Sequence, residues 1–109
     1  MRRGNKMERI YSAAIWYKEL PTVKYNPKNI DYGVVVEGHR HDDIIRTVFV
    51  LLGKRTVENG ENSVGETIQG FVTNQSRFVD RVEAMQISRN ANQLKSQTSF
   101  NELYSEDIY

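Results

Sequence analysis

Cysteine is absent from the 109-residue chain, which removes disulfide scaffolds, thiolate zinc sites and cysteine nucleophiles together and fits a reducing cytoplasm. Long apolar runs are missing too. The longest, VFVLL at 48–52, is far below the roughly 20 residues that cross a bilayer, and the N-terminus has no apolar signal stretch. The expectation is a protein neither exported by that route nor embedded in a membrane. No excess of one charge exists either, since 15 Lys and Arg stand against 14 Asp and Glu, a net charge of +1. A broad basic face for long nucleic acid is therefore not expected, and any anion site has to be local. The chain also lacks a G-x-S-x-G elbow, a Walker loop, a dinucleotide fingerprint and a third partner for a triad, so the expectation is a protein without catalytic machinery or cofactor.

What is present fits one small α+β domain over 1–109, with hydrophobic residues at 39% and charged residues at 27%. A core of this size is often completed by a partner subunit, so a homodimer or higher oligomer is expected. Residues 1–9 carry Arg2, Arg3, Lys6 and Arg9 without an apolar period and read as a mobile basic arm. IYSAAIWYK at 10–18 is β-branched, aromatic and small, a strand with Tyr11, Ala13, Ile15 and Tyr17 on one face. Both prolines, Pro21 and Pro27, fall in an irregular connection before a second strand at 32–38. Asp42 or Asp43 caps a helix whose wide apolar face runs from Ile44 to Leu52 and closes at Gly53. KRTVENGENSVGE reads as a surface loop, and TIQGFVT and RFVD as a hairpin around NQS. A second helix starts at Asp80, with Glu83 at capping-box spacing and Ala84, Ile87, Ala91 and Leu94 on one face. Residues 95–102 read as flexible, followed by LYSEDIY, a tail too apolar to be a solubilising end. The expected architecture is a small antiparallel sheet packed with two helices.

Two constellations carry candidate chemistry. GHRHDD at 38–43 contains both histidines and joins a strand end to a helix start. His39, His41 and Asp43 have the H-x-H-x-D spacing of metallohydrolases, which would make a small phosphodiesterase, but such sites need further histidines and the chain has none. The preferred reading is an anion pocket in which first-turn amides and Arg40 hold a phosphate. The plainer alternative leaves the histidines as half-buried polar neighbours and the aspartates as caps. In QGFVTNQSRFVDRVEA at 69–84, Gly70 permits close backbone approach while Phe71 and Phe78 flank Arg77 and Arg81, an arrangement that suits nucleotides. Phe78 reads better as core, and Arg81 could instead pair with Glu83 or the tail acids. The candidate ligand set is Arg40, His39, His41, Phe71, Asn74, Arg77 and Arg81, with no catalytic and no metal-binding residue. A structural or protein-interaction module acting through the aromatic tail is a third possibility.

Taken in order over about residues 13–109, AAI, GHRHDDII, QGFVT, RFVDRVEA, the later Gln93 and the terminal LYSEDIY resemble a family of small phage proteins, the first-described Thoeris anti-defence proteins. That family comprises viral sponges that sequester the cyclic ADP-ribose signal made by bacterial TIR-domain proteins. The resemblance implies a dimer with pockets near the subunit boundary, working in the cytoplasm of the infected bacterial host. It implies phosphate contacts from Arg40, Arg77 or Arg81 and base stacking by Phe71. The ligand would be a cyclic ADP-ribose isomer or related cyclic nucleotide, and some members also hold cyclic oligonucleotides at a separate site in a higher oligomer. This sequence departs from the pattern in Asn92, where glycine is common, and in a longer insertion around 21–30.

Overall fold

A computed structural model describes residues 7–52 and 64–109, together with the backbone of 57–58 and 61–62. Strands β1 (Ile10–Tyr17) and β2 (Val34–Gly38) precede helix α1 (His41–Leu52). A two-residue hairpin of β3 (Val57–Glu58) and β4 (Glu61–Asn62) follows, then β5 (Thr67–Thr73), β6 (Phe78–Asp80), helix α2 (Arg81–Asn90) and a 3-10 turn at Ser105–Asp107. The main sheet has four strands in the order β2-β1-β5-β6, and each neighbouring pair is antiparallel. Two helices pack with this sheet, the α+β architecture expected from the alternation of strand-like and helix-like periods.

The alternation in β1 is interrupted at its start. Ile10 pairs with Thr73 and Ser12 with Val72, so Tyr11 is an extra residue on β1. This bulge sends Tyr11 to solvent at 70% exposure and puts Ile10 on the inner face with Ala13, Ile15 and Tyr17. A period-two reading of 11, 13, 15 and 17 therefore holds except at its first member. The inner face packs against Ile44 and Val48 of α1 and Ala84, Met85 and Ile87 of α2, with Leu103 from the tail completing the cluster. The opposite face buries Ala14, Val72 and Phe78 beneath Trp16, Ile30, Val35 and Ile68. Phe78 is core, as expected. Gly70 permits a close approach, but of β6: a Cβ there would meet Phe78 Cζ at 2.9 Å and collide with the Val79 carbonyl oxygen.

Several local expectations are corrected. Helix α1 begins at His41, so Asp42 and Asp43 lie in its first turn rather than capping it, where they still complement the helix dipole. The expected stop at Gly53 lies outside the described residues. Asp80 does cap α2, its carboxylate accepting from the Glu83 amide at 2.9 Å. The Glu83 carboxylate, however, accepts from Arg77 Nη2 at 2.8 Å, since a guanidinium offers a stronger partner than a backbone amide. Helix α2 ends at Asn90 and does not reach Leu94, because the chain turns left-handed at Asn92, φ 58°. There the Asn92 amide bonds the Arg89 carbonyl and the Gln93 amide the Ser88 carbonyl, a Schellman motif in which the glycine common at this position is replaced by the next most tolerant residue.

Two segments expected to be mobile are held. Residues 7–9 of the supposed arm are pinned, with Glu8 bonded to Arg77 and Thr73, and Asn74 bridging Arg9 and Met7. Arg89 Nη2 donates to the carbonyls of Thr98 and Phe100, tying down the 95–102 stretch. Residues 1–6 lie outside the described part. No helix among the described residues is long and apolar enough to cross a membrane.

Candidate functional site

A cleft of about 300 Å³ opens where the start of α1, the middle of β5, the start of α2 and the tail converge. It is lined by Arg40, His41 and Asp42 from the first, Gln69 and Arg81 from the next two, and Tyr104, Ser105 and Glu106 from the tail. Two arginines thus face a common space, as an anion pocket requires, but two carboxylates share it. Among the described residues the Arg40 guanidinium makes no hydrogen bond or ion pair, so its charge is available to a ligand.

Arg81 is fixed in place. Its Nη1 donates to the Leu103 carbonyl at 2.7 Å, its Nη2 donates to Gln69 Oε1, and its guanidinium carbon lies 4.2 Å from the centre of the Tyr104 ring. Its own carbonyl accepts from the Leu103 amide at 3.0 Å. One residue therefore anchors the tail by main chain and side chain. Fixing a planar fork in this way removes much of the rotamer entropy that a free arginine loses when it binds an anion.

His41 is the hidden hinge of this arrangement. The residue is buried at 7% exposure, and its Nε2 lies 2.7 Å from the Gly70 carbonyl oxygen. A carbonyl only accepts, so Nε2 carries the proton and Nδ1 accepts from the Ser105 hydroxyl at 2.8 Å. Burial pushes the imidazole below its ordinary value, and the Gly70 carbonyl partly opposes this. His41 thereby links α1, β5 and the tail from beneath the cleft, with the Phe71 ring meeting it edge-on at 5.1 Å.

The remaining candidates lie elsewhere. Phe71 is wholly buried at 0% exposure, so it offers no face to a base, and its role as a stacking platform is overturned by its place in the core. Arg77 does not line the cleft; it grips Glu8 through Nε and Nη2 at 2.8 and 2.9 Å and Glu83 at 2.8 Å. Those two acids hold its guanidinium still more firmly protonated and offset its charge, which weakens it as a phosphate contact. Asn74 spends its side chain on Arg9 and Met7. His39 stacks on Tyr109 at 4.2 Å and is absent from the cleft lining, while the Tyr109 hydroxyl donates to the Tyr11 carbonyl. Of the seven candidates, Arg40, His41 and Arg81 come together.

The H-x-H-x-D spacing does not assemble a metal site. Both His41 nitrogens are engaged inside the protein, and among the described residues no three His, Cys, Asp or Glu side chains come close enough to share an ion. Sequence reasoning missed Asp42, Gln69, Tyr104, Ser105 and Glu106 as cleft residues. The apolar character of LYSEDIY was the available signal that the tail docks, and Leu103 at 0% exposure is what docks it.

Fold and cleft together define a small α+β protein with an arginine-lined surface pocket closed on one side by its own C-terminal tail. No curated protein and no solved structure matches it. The chain matches the model of the Phage T4 y16D protein family over residues 9–109 and belongs to that bacteriophage family.

Proposed function

We propose that this phage protein binds and sequesters a small cyclic nucleotide signal of the cyclic ADP-ribose type and releases it chemically unchanged. The observation that carries this reading is the convergence of Arg40, Arg81 and the half-exposed Tyr104 ring on one cleft of about 300 Å³. That volume falls at the small end of ligand pockets. A cyclic ADP-ribose presents a diphosphate, ribose hydroxyls and a base, and each has a counterpart. The two guanidinium groups suit the phosphates, the Asp42 and Glu106 carboxylates accept from hydroxyls, and Tyr104 takes the stacking role first given to Phe71. Stacking contributes roughly 1–3 kcal/mol and each charge-assisted hydrogen bond roughly 1.5–3 kcal/mol. A few such contacts bring the total toward the −12 kcal/mol or so of nanomolar binding that sequestration demands.

The reading is of a binding protein rather than an enzyme. His41, the one imidazole lining the cleft, has no free nitrogen with which to take a proton from a substrate. It implies action in the cytoplasm of the infected host, where such a signal is made. Self-association belongs to the same reading, because the end of α1 leaves Val50 and Leu51 more than 70% exposed. Mass spectrometry of small molecules released by heat from protein expressed beside an active TIR-dependent defence system tests the proposal. An intact cyclic ADP-ribose isomer in near-equal molar amount to the cleft is expected. Recovery of hydrolysed ADP-ribose, or of no nucleotide from protein that blocks the defence, contradicts it.

A further inference from the structure

A second cavity, of about 440 Å³, lies at the C-terminal end of α2, lined by Ser88, Arg89, Asn92, Lys95, Ser96 and Gln97 with Leu94 beside them. We propose that it is a binding site for a phosphorylated sugar, with the phosphate monoester between Arg89 and Lys95 and the sugar hydroxyls on Asn92, Ser96 and Gln97. This goes beyond the nucleotide cleft and does not depend on it.

Charge is the first argument. The lining holds two cations and no carboxylate, which matches the dianion of a phosphate monoester and contrasts with the mixed charge of the first cleft. The second argument is preorganisation. Arg89 Nη2 donates to the Thr98 and Phe100 carbonyls at 2.8 and 2.7 Å, which fixes the guanidinium plane, while among the described residues its Nε and Nη1 have no partner. Lys95 is placed by the tail, its Nζ on the main-chain oxygen of Tyr109 at 2.7 Å and its amide on the Asp107 carbonyl at 2.9 Å.

A helix C-terminus ordinarily repels anions through its bare carbonyls. Here that objection is weakened, because the carbonyls of Ile87, Ser88 and Arg89 accept from the amides of Ala91, Gln93 and Asn92. The neutral lining then selects the class of ligand. The side chains of Asn92, Ser96 and Gln97 make no hydrogen bond among the described residues, so three hydroxyl-binding groups stand open. No aromatic ring lines the cavity, which leaves a nucleobase without a platform and favours a sugar phosphate over a nucleotide.

Titration calorimetry of the full chain with ribose 5-phosphate, inorganic phosphate and free ribose tests this. Ribose 5-phosphate is expected to bind at least tenfold more tightly than inorganic phosphate, and free ribose to give no heat. Lys95→Ala is expected to weaken ribose 5-phosphate at least tenfold while retaining the far-ultraviolet circular dichroism of the parent. If Lys95→Ala loses that spectrum, Gln97→Glu, which adds a carboxylate on an exposed loop, is expected to give the same tenfold loss. Absence of binding, equal affinity for inorganic phosphate, or a loss seen in Arg40→Ala and not in Lys95→Ala or Gln97→Glu overturns the proposal.

Discussion

His41 is an ionisable side chain placed where ionisation is costly, and its cost can be measured. In the unfolded chain it takes up a proton near its ordinary value of 6.5, whereas burial keeps it neutral in the fold to a lower pH. Below about pH 6.5 the unfolded chain therefore binds more protons, and stability falls as the pH drops; above that value the contribution is fully present. Glu8 works in a lower window. Its hydrogen bonds to Arg77 hold the carboxyl below the ordinary 4.5, so its contribution is present above that value and lost as the pH falls further. The melting temperature is expected to be flat from about pH 8 to 7 and to decline from about 6.5. The first decline should vanish in His41→Gln; a decline of equal size in that variant would remove His41 as its source. Phe71 gives the second residue-scale prediction. Truncation to alanine empties a fully buried ring site and is expected to cost about 3–5 kcal/mol in denaturant unfolding, with ligand affinity of the folded fraction unchanged. A selective loss of affinity at unchanged stability would return Phe71 to the ligand.

At the scale of elements, side-chain amides substitute for missing strands. The Asn29 amide accepts from the Phe78 N–H and donates to the Phe78 carbonyl, both at 2.8 Å, occupying the outer edge of β6 as a strand would. Asn26 does the same for the start of β2 through Gly33 and Val35, and Gln93 bonds both backbone groups of Ile10, beyond the point where β2 ends opposite Ala13. An open edge is a template for pairing with other chains. Asn29→Leu strands two backbone groups and is expected to destabilise by about 1–3 kcal/mol and to raise concentration-dependent light scattering. Unchanged stability and scattering would show that β6 needs no guard. None of these clamps was legible in the sequence, since Asn29 and Phe78 lie 49 positions apart and Ile10 and Gln93 lie 83 apart. The strands and helices were legible because period and capping are local signals, and they failed where a competing side chain or a strand irregularity intervened. Glu83 was drawn to Arg77, and Tyr11 was expelled by a bulge.

Over the whole molecule, the two helices share one sheet face, where Leu20 joins them, while Ile30 and Tyr32 of the β1–β2 connection cover the other. Helix α1 extends its last turn beyond this packing, so Phe49 and Leu52 are each 39% exposed beside the barer Val50 and Leu51. A helix end that is apolar all round normally lies buried. A second copy is the occupant expected there, and Leu51→Glu is expected to shift sedimentation from dimer to monomer and to lower the melting temperature, because association with a second copy stabilises the folded state by mass action. A parent protein that sediments as a monomer at high concentration would remove that element. The cleft was only partly legible for the same reason as the clamps. Arg40 and His41 stand beside a helix start that sequence can mark, whereas Tyr104, Ser105 and Glu106 reach them only because Leu103 is buried and Arg81 holds the tail.

Calorimetric titration of the purified protein and of Arg40→Ala with cyclic ADP-ribose isomers, followed by heating and chromatography of the released ligand, bears most directly on the cleft as a trap. The account predicts about nanomolar affinity for one isomer, a loss of at least tenfold in Arg40→Ala, and recovery of the isomer unaltered. Micromolar or absent binding of every isomer, equal affinity in the variant, or conversion of the ligand to a product would contradict it.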